Sequence, residues 1–180
     1  MFGRSAILVF VLTGALGIMG FRSAAWNVAD QEARIPSQQL RSGAFTTVTG
    51  EVIETDTLAG RVILVNAWAT WCGPCIIEMP GFQRVQDDFE DQGFLVVGIS
   101  ADDESPEFVR AFIEDLGITY PVTVGPQRPL GRLAAQVRGL PTSFLLARDG
   151  HIARKVEGVF AEEALRTAVV ELLKEEPPSR

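Results

Sequence analysis

Cysteine and histidine are scarce in this sequence, and their scarcity excludes several kinds of site. The 180 residues contain two cysteines, Cys72 and Cys75, and a single histidine, His151. Two cysteines cannot build a framework of several disulfides, and they supply only half the ligands of a four-coordinate zinc site. Because His151 lies far along the chain, a Cys/His zinc cage is disfavoured. The two cysteines are therefore left to bond to each other.

Positive charge is also in short supply, with 16 Lys and Arg against 23 Asp and Glu. The net charge of −7 disfavours nucleic acid as a partner, because phosphates attract basic surfaces. Acidic clusters at residues 87–88 and 102–104 are typical of solvated surface rather than of metal sites. The composition thus predicts neither a nucleic-acid-binding protein nor a metalloprotein.

The two cysteines form a Cys-X-X-Cys motif within residues 71–75, Trp-Cys-Gly-Pro-Cys. Residues three apart at the start of a helix lie one turn from each other, within the Cα separation that a disulfide tolerates. The preceding run, residues 61–68, is short, apolar and β-branched, which is typical of a buried strand. A Cys-X-X-Cys motif between a strand and a helix is the context of a thioredoxin-type redox site. The motif therefore predicts reversible thiol–disulfide exchange.

The position of Cys72 predicts that it is the attacking sulfur. The thiolate is the nucleophile, and the unpaired N–H groups and macrodipole of a helix N-terminus favour the negative charge and lower the pKa of the thiol. Pro74 fits the first turn of the helix, where its missing N–H costs nothing, and Gly73 allows a tight turn between the sulfurs. We expect Cys72 at the exposed end of the loop. Cys75, one turn into the helix, is expected to resolve the mixed disulfide.

Two segments of the sequence resemble the thioredoxin superfamily. Residues 65–80 carry the Cys-X-X-Cys motif, then Glu78 and a proline. This segment is most similar to the membrane-anchored, extracytoplasmic reductases of the TlpA/ResA and cytochrome c maturation (DsbE-like) kind. The second segment, residues 137–146, contains Pro141, which the resemblance implies is cis and lies against the disulfide. The similarity covers roughly residues 43 to 175.

The resemblance also implies a surface that binds substrate. A cis bond would turn the backbone of Leu140 toward the disulfide, where it pairs with an incoming peptide strand. Trp71 is expected on the exposed rim beside Cys72, whereas Trp68 is expected in the core. The substrate-binding residues predicted in this way are Trp71, Gly73, Pro74, Leu140 and Pro141.

Glu78 follows Cys75 by three residues, so it lies within reach of the active site on the predicted helix. One interpretation is a surface carboxylate favoured near the helix N-terminus. The interpretation we prefer is a partly buried acid that handles protons for the cysteines. Many cytoplasmic thioredoxins carry a buried aspartate where this sequence has Asn66, and Asn66 cannot titrate. A proton shuttle must therefore use another group.

The N-terminal residues 5–21 follow Arg4 and are apolar apart from a serine and a threonine. A signal peptide has an apolar region of about 7–15 residues and a spanning helix needs about 20, so both alternatives stay open beside a structural helix of the domain. Residues 23–25, Ser-Ala-Ala, suit cleavage, whereas Trp26 suits an interfacial anchor. Because related proteins are often tethered, we expect an uncleaved anchor. With either membrane-targeting alternative, the catalytic domain is exported to the extracytoplasmic face of the bacterial inner membrane, in the periplasm.

The remaining pattern predicts one α/β domain with a mixed central sheet flanked by helices, a thioredoxin-like fold. Asp149-Gly150 between two apolar runs predicts a hairpin before the last helix. Two additions are expected, an N-terminal β-hairpin over residues 44–54 and an inserted helix around 105–117. The predicted organisation is an anchor or signal peptide over 1–26, a linker over 27–42, the domain over 43–176 and a tail over 177–180.

We expect an exported thiol–disulfide oxidoreductase that acts as a reductase, with the Cys72–Cys75 disulfide as its redox group and no metal or organic cofactor. The resemblance implies substrates such as apocytochrome c and an integral-membrane electron donor. Three alternatives stay open: a disulfide-forming oxidant, a peroxidase of related fold, and a copper-delivery protein. The peroxidase is disfavoured because Thr70 lies two residues before Cys72 rather than three. Copper carriers typically space their cysteines one residue wider.

Overall fold

The computed structural model describes residues 43–125, 127 and 130–176. The predicted anchor or signal peptide, the linker and the tail lie outside the described residues. Within the described part, no helix has the length and apolar character needed to cross a membrane. The strands are β1 (Ala44–Thr46), β2 (Val52–Glu54), β3 (Val62–Trp68), β4 (Phe94–Ser100), β5 (Val122–Val124), β6 (Thr142–Leu146) and β7 (Ile152–Glu157). The α-helices are α1 (Gly73–Phe89), α2 (Pro106–Asp115), α3 (Gly131–Ala134) and α4 (Glu162–Leu173), and 3₁₀ turns span Thr55–Leu58 and Glu90–Gln92.

Five strands form a mixed sheet in the order β5-β4-β3-β6-β7. β4 runs parallel to both β3 and β5, whereas β6 runs antiparallel to β3 and β7. Every residue of β3 and β4 is buried, because helices or the hairpin cover both faces of the sheet, and this explains their continuous apolar runs. The mixed sheet flanked by helices confirms the predicted fold class.

Both predicted additions are present. β1 and β2 form a separate two-stranded antiparallel sheet, in which Phe45 lies opposite Ile53. The turn that joins them is tied to the main sheet, since the Val48 N–H donates to the Val122 carbonyl at 2.8 Å. The inserted helix α2 begins at Pro106, and the Ser105 hydroxyl caps it by accepting the Phe108 N–H.

The core has two parts, one on each face of the sheet. One face packs against α1, α2 and α4, and its largest buried side chains include Trp68, Met79 and Phe82. The other face packs against the N-terminal hairpin and α3, around Phe45 and Phe144. β3 is central to both, so the loop that follows it is carried by the best-buried part of the domain.

One local feature differs from what the sequence pattern predicts. A helix over 130–137 is expected, but α3 is limited to one turn and the chain then tightens: the N–H groups of Gln136 and Val137 donate three residues back, to Leu133 and Ala134. Pro80 lies inside α1, which continues to Phe89, and the kink that its missing N–H predicts there stays a prediction.

Candidate active site

The disulfide Cys72–Cys75 lies where β3 gives way to α1. The two Cα atoms are 5.3 Å apart. Cys72 is the N-cap of α1, and its carbonyl accepts the N–H groups of Cys75 and Ile76 at 3.0 and 3.2 Å. Pro74 occupies the first turn, as the missing N–H predicts. The fold therefore holds both sulfurs at the positive end of a helix.

The two cysteine residues differ in how much of their surface is exposed, although less than the sequence suggests. Cys75 is fully buried, while Cys72 keeps 6% of its surface exposed. The expectation of an exposed Cys72 is therefore wrong in degree, because Cys72 packs into the core beneath the helix start rather than projecting from the loop. Gly73 and Pro74 beside it are exposed.

The loop before β6 packs against the core that contains the disulfide. The Leu140–Pro141 peptide bond is cis, as the resemblance implies. Leu140 is half-buried against the cluster that includes both cysteines, and Pro141 is buried. The Pro141 carbonyl accepts the Gly158 N–H at 2.8 Å, which ties this loop to the one that follows β7.

Glu78 lies one helical turn beyond Cys75 and is only 5% exposed, so the interpretation as a surface carboxylate is wrong. Its Oε2 accepts a hydrogen bond from the Phe160 N–H at 2.8 Å, and its Oε1 accepts one from the Asn66 Nδ2 at 3.0 Å. Burial raises the pKa of Glu78 from its ordinary value of 4.5 to about 7, and the two hydrogen bonds oppose that rise. Glu78 is a buried acid that exchanges its proton near neutral pH.

Asn66 connects Glu78 to the neighbouring strand. Asn66 lies opposite Ser143 in the β3–β6 register, and its Nδ2 also donates to the Ser143 hydroxyl at 3.0 Å. Both side chains are fully buried. The sequence indicates that Asn66 cannot titrate, but it carries no signal for Ser143 or for the Phe160 amide, which lie 77 residues from Asn66 and 82 from Glu78.

A second buried carboxylate, Asp102, holds the loop that leads from β3 to Cys72. Both Asp102 oxygens accept the Thr70 N–H, at 3.2 and 3.1 Å, and Oδ1 accepts the Thr70 hydroxyl at 2.7 Å. The Ser100 hydroxyl donates to Oδ2 at 2.6 Å. The expectation that residues 102–104 are solvated surface is therefore wrong for Asp102, since these donors replace the water that burial removes.

Large apolar side chains are exposed around the disulfide. Trp71 and Ile77 keep 72% and 78% of their surface exposed, and Val159 is exposed as well. Val159 lies between Gly158, which bonds to the Pro141 carbonyl, and Phe160, which bonds to Glu78. Trp68, as expected, is fully buried. We call the following exposed residues the apolar rim: Trp71, Gly73, Pro74, Ile77 and Val159.

His151 lies away from the cysteines. It directly precedes β7, at the tip of the β6–β7 hairpin, and its Nδ1 contacts Asp149 at 2.5 Å. Its side chain is partly covered rather than fully exposed in the hairpin turn. Among the described residues, no group of three or more His, Cys, Asp or Glu side chains is placed to hold a metal ion.

Comparison with known proteins places this site in a family. Residues 31–171 match the model of the Redoxin family. The chain is 29% identical over 160 residues to the thiol-disulfide oxidoreductase ResA of Bacillus thuringiensis (strain Al Hakam), covering 88% of this chain and 89% of that one. ResA of Bacillus subtilis (strain 168) is 29% identical over 165 residues, with 92% and 89% covered. A solved thiol:disulfide interchange protein of the thioredoxin family, from Chlorobium tepidum TLS, matches with a TM-score of 0.66 and 30% identity, over 74% of this chain and 94% of that one.

The raised pKa of Glu78 predicts a pH-dependent stability. The folded protein holds the Glu78 proton more tightly than the unfolded chain does. The stability that this difference adds is fully present below pH 4.5 and is lost as the pH rises through about 7. We expect the free energy of unfolding of the oxidised protein to fall across this range by up to about 3 kcal/mol, less what solvent screening removes. Denaturant titrations from pH 4.5 to 8.5 measure it. Glu78→Gln should remove this fall, and parallel curves for the two proteins would show that the Glu78 pKa is not raised.

The contacts of Asp102 predict that it protects the Thr70 amide. Asp102→Ala removes an ionised acceptor, and a hydrogen bond to a charged group contributes about 1.5–3 kcal/mol. We expect exchange of the Thr70 amide proton to accelerate by about 10- to 100-fold in hydrogen-exchange NMR. Asp103→Ala, at the exposed neighbouring carboxylate, is the matched control and should change nothing. Equal exchange in both variants would contradict the role of Asp102.

Proposed function

Because this chain is a thiol–disulfide oxidoreductase of the Redoxin family, we propose that it is an exported reductase of protein disulfides. The observation that carries the proposal is the Cys72–Cys75 disulfide at the N-terminus of α1, in which Cys72 keeps a small exposed fraction and Cys75 keeps none. The thioredoxin-like fold supports it, with the ResA- and DsbE-like proteins as the group it resembles. The disulfide is proposed as the sole redox group, without metal or organic cofactor.

In the proposed reaction, the reduced protein carries a Cys72 thiolate and a Cys75 thiol. The thiolate attacks one sulfur of the target disulfide, which forms a mixed disulfide and releases the other target sulfur as a thiolate that takes a proton from water. The Cys75 thiol then loses its proton, and its sulfur attacks the Cys72 sulfur. The second target thiolate leaves, and the Cys72–Cys75 disulfide is restored, so two electrons have passed to the target.

The proposed acceptor of the Cys75 proton is Glu78. Cys75 is fully buried, and an apolar environment raises the pKa of a thiol and disfavours its thiolate. Resolution therefore needs a base inside the protein. Glu78 is one helical turn away and has a pKa of about 7, so at neutral pH a substantial fraction of it is ionised and able to take the proton.

We propose that the apolar rim and the cis-proline loop bind the substrate. Exposed apolar side chains beside a reactive sulfur favour an unfolded target, which presents apolar residues next to its cysteines. The backbone of Leu140, next to the cis bond to Pro141, is proposed to pair with the target in extended conformation. Trp71, Gly73 and Pro74 would then cover the target on the side of Cys72.

The likeness of residues 65–80 to cytochrome c maturation reductases supports a finer proposal. The substrate is apocytochrome c, whose paired cysteines must be reduced, and electrons come from an integral-membrane donor. Residues 5–21 are proposed to anchor the protein on the periplasmic face of the inner membrane, or to direct its export if they are cleaved.

The proposal predicts a low reduction potential. A reductase must hold its own disulfide more stably than that of its target, so we expect a value near or below about −270 mV, that of thioredoxin. Equilibration of the protein in thiol/disulfide buffers, with alkylation of Cys72 as the readout, measures it. A value near about −120 mV would instead identify a disulfide-forming oxidant.

The division of roles between the sulfurs predicts a trapped intermediate. Cys75→Ser removes the resolving sulfur, so the mixed disulfide through Cys72 should accumulate on a peptide that contains an oxidised Cys-X-X-Cys pair. Non-reducing electrophoresis and mass spectrometry detect the adduct. Cys72→Ser is the matched control and should form none, since Cys75 is sealed in the core. An adduct of equal yield in Cys72→Ser would reverse the assignment.

A further inference from the structure

Asn66 has an unpaired oxygen in the core, although its nitrogen is doubly engaged. Its Nδ2 donates to Glu78 and to Ser143, both at 3.0 Å. Its Oδ1 is buried and has no hydrogen-bond partner among the described residues. A buried acceptor without a donor costs free energy, so this orientation of the amide must be favoured by its donor side. What favours it is the Glu78 carboxylate.

That preference depends on the proton of Glu78. The Oε2 of Glu78 is held by the Phe160 N–H, which can only donate. The proton of a neutral Glu78 therefore belongs on Oε1, the oxygen that faces the Asn66 amide. With Nδ2 in its present place, two donors would then oppose each other. With Oδ1 in that place, the amide would accept a hydrogen bond from the Glu78 O–H.

Ser143 suits either orientation. A hydroxyl both donates and accepts, so Ser143 can accept from Nδ2 or donate to Oδ1 at the same position. Rotation of the Asn66 amide by half a turn exchanges Nδ2 and Oδ1, so that the NH₂ group replaces the oxygen as the unpaired end of the amide. The two orientations therefore differ in which protonation state of Glu78 they fit and in which end of the amide is unpaired.

We propose that the Asn66 side-chain amide rotates by half a turn, exchanging Nδ2 and Oδ1, when Glu78 gains or loses its proton. Asn66 is then a positioning residue: it donates to the Glu78 carboxylate and accepts from the Glu78 acid, so that neither state is left without a partner. The inference rests on the proposed role of Glu78 as the acceptor of the Cys75 proton. It adds that the transfer of the Cys75 proton to Glu78 is accompanied by a change in the orientation of the Asn66 amide.

The other groups around Glu78 do not replace the amide. The Phe160 N–H is fixed by the backbone of the loop after β7. Tyr120, just before β5, is a buried phenol whose pKa is raised by burial and by the charge of Glu78, so it stays protonated. Glu162 of α4 lies at Gly81, further along α1, and is held by arginines. Within the described chain, Asn66 is the only side chain that hydrogen-bonds to Glu78.

The test is an NMR titration of the full chain, oxidised, from pH 5 to 9. The disulfide does not titrate in this state, so the carboxyl carbon of Glu78 reports its proton directly. Nuclear Overhauser effects from the Asn66 side-chain NH₂ protons to Ser143 report the amide. We expect the Overhauser effects between the Asn66 NH₂ protons and Ser143 to be strong at high pH and lost at low pH. The midpoint of this change should equal the titration midpoint of the Glu78 carboxyl carbon.

Three outcomes separate the two proposals. If the Glu78 carbon titrates while the Asn66 signals stay unchanged, the amide is fixed and the inference is wrong, but Glu78 keeps its proposed role. If the Glu78 carbon does not titrate in this range, both fail. Matching midpoints support both.

Glu78→Gln supplies the control. Its side-chain oxygen can still accept the Phe160 N–H, and its NH₂ group then faces Asn66 as a donor, as the O–H of the neutral acid does. We expect the low-pH pattern of Asn66 signals at every pH in this variant. The high-pH pattern in Glu78→Gln would overturn the inference.

Discussion

The burial of one carboxylate is the constraint on which the rest of the active site depends. An ionised Glu78 in the core needs donors, and these come from two separate parts of the chain: β3 through Asn66 and the loop after β7 through Phe160. The Asn66 nitrogen also donates to Ser143 of β6, which helps to hold it in place. The donors moderate the cost of burial without cancelling it, so the pKa settles near neutrality. Because Glu78 lies one helical turn from the buried Cys75, we propose that it links the packing of the domain to the chemistry of the disulfide.

The two buried carboxylates have different tasks. Glu78 has one backbone and one side-chain partner and keeps a raised pKa. Asp102 is surrounded by the Thr70 amide and hydroxyl and by the Ser100 hydroxyl, and it fixes the turn that leads to Trp71. One acid is suited to exchange protons, and the other to hold backbone in place.

Sequence reasoning predicts the parts of this protein that depend on local pattern. The continuous apolar runs of β3 and β4, the capped start of α2 and the Cys-X-X-Cys motif all carry their signal within a few residues. The resemblance predicts the cis bond at Pro141. The sequence does not predict the burial of Asp102 or the bond of Asn66 to Ser143, because these contacts join residues far apart in sequence that only the folded sheet brings together. Nothing local distinguishes Asp102 from its solvated neighbours.

The loop of residues 158–160 bonds to Pro141 at one end and to Glu78 at the other. We expect a single residue added between them to break one of these two attachments and so to displace either the loop that carries Pro141 or the Glu78 carboxylate. The hairpin tip at Asp149-Gly150 lies at the other end of β6 and bears neither attachment. A fluorophore or affinity tag placed at that tip would therefore leave both attachments of the 158–160 loop intact.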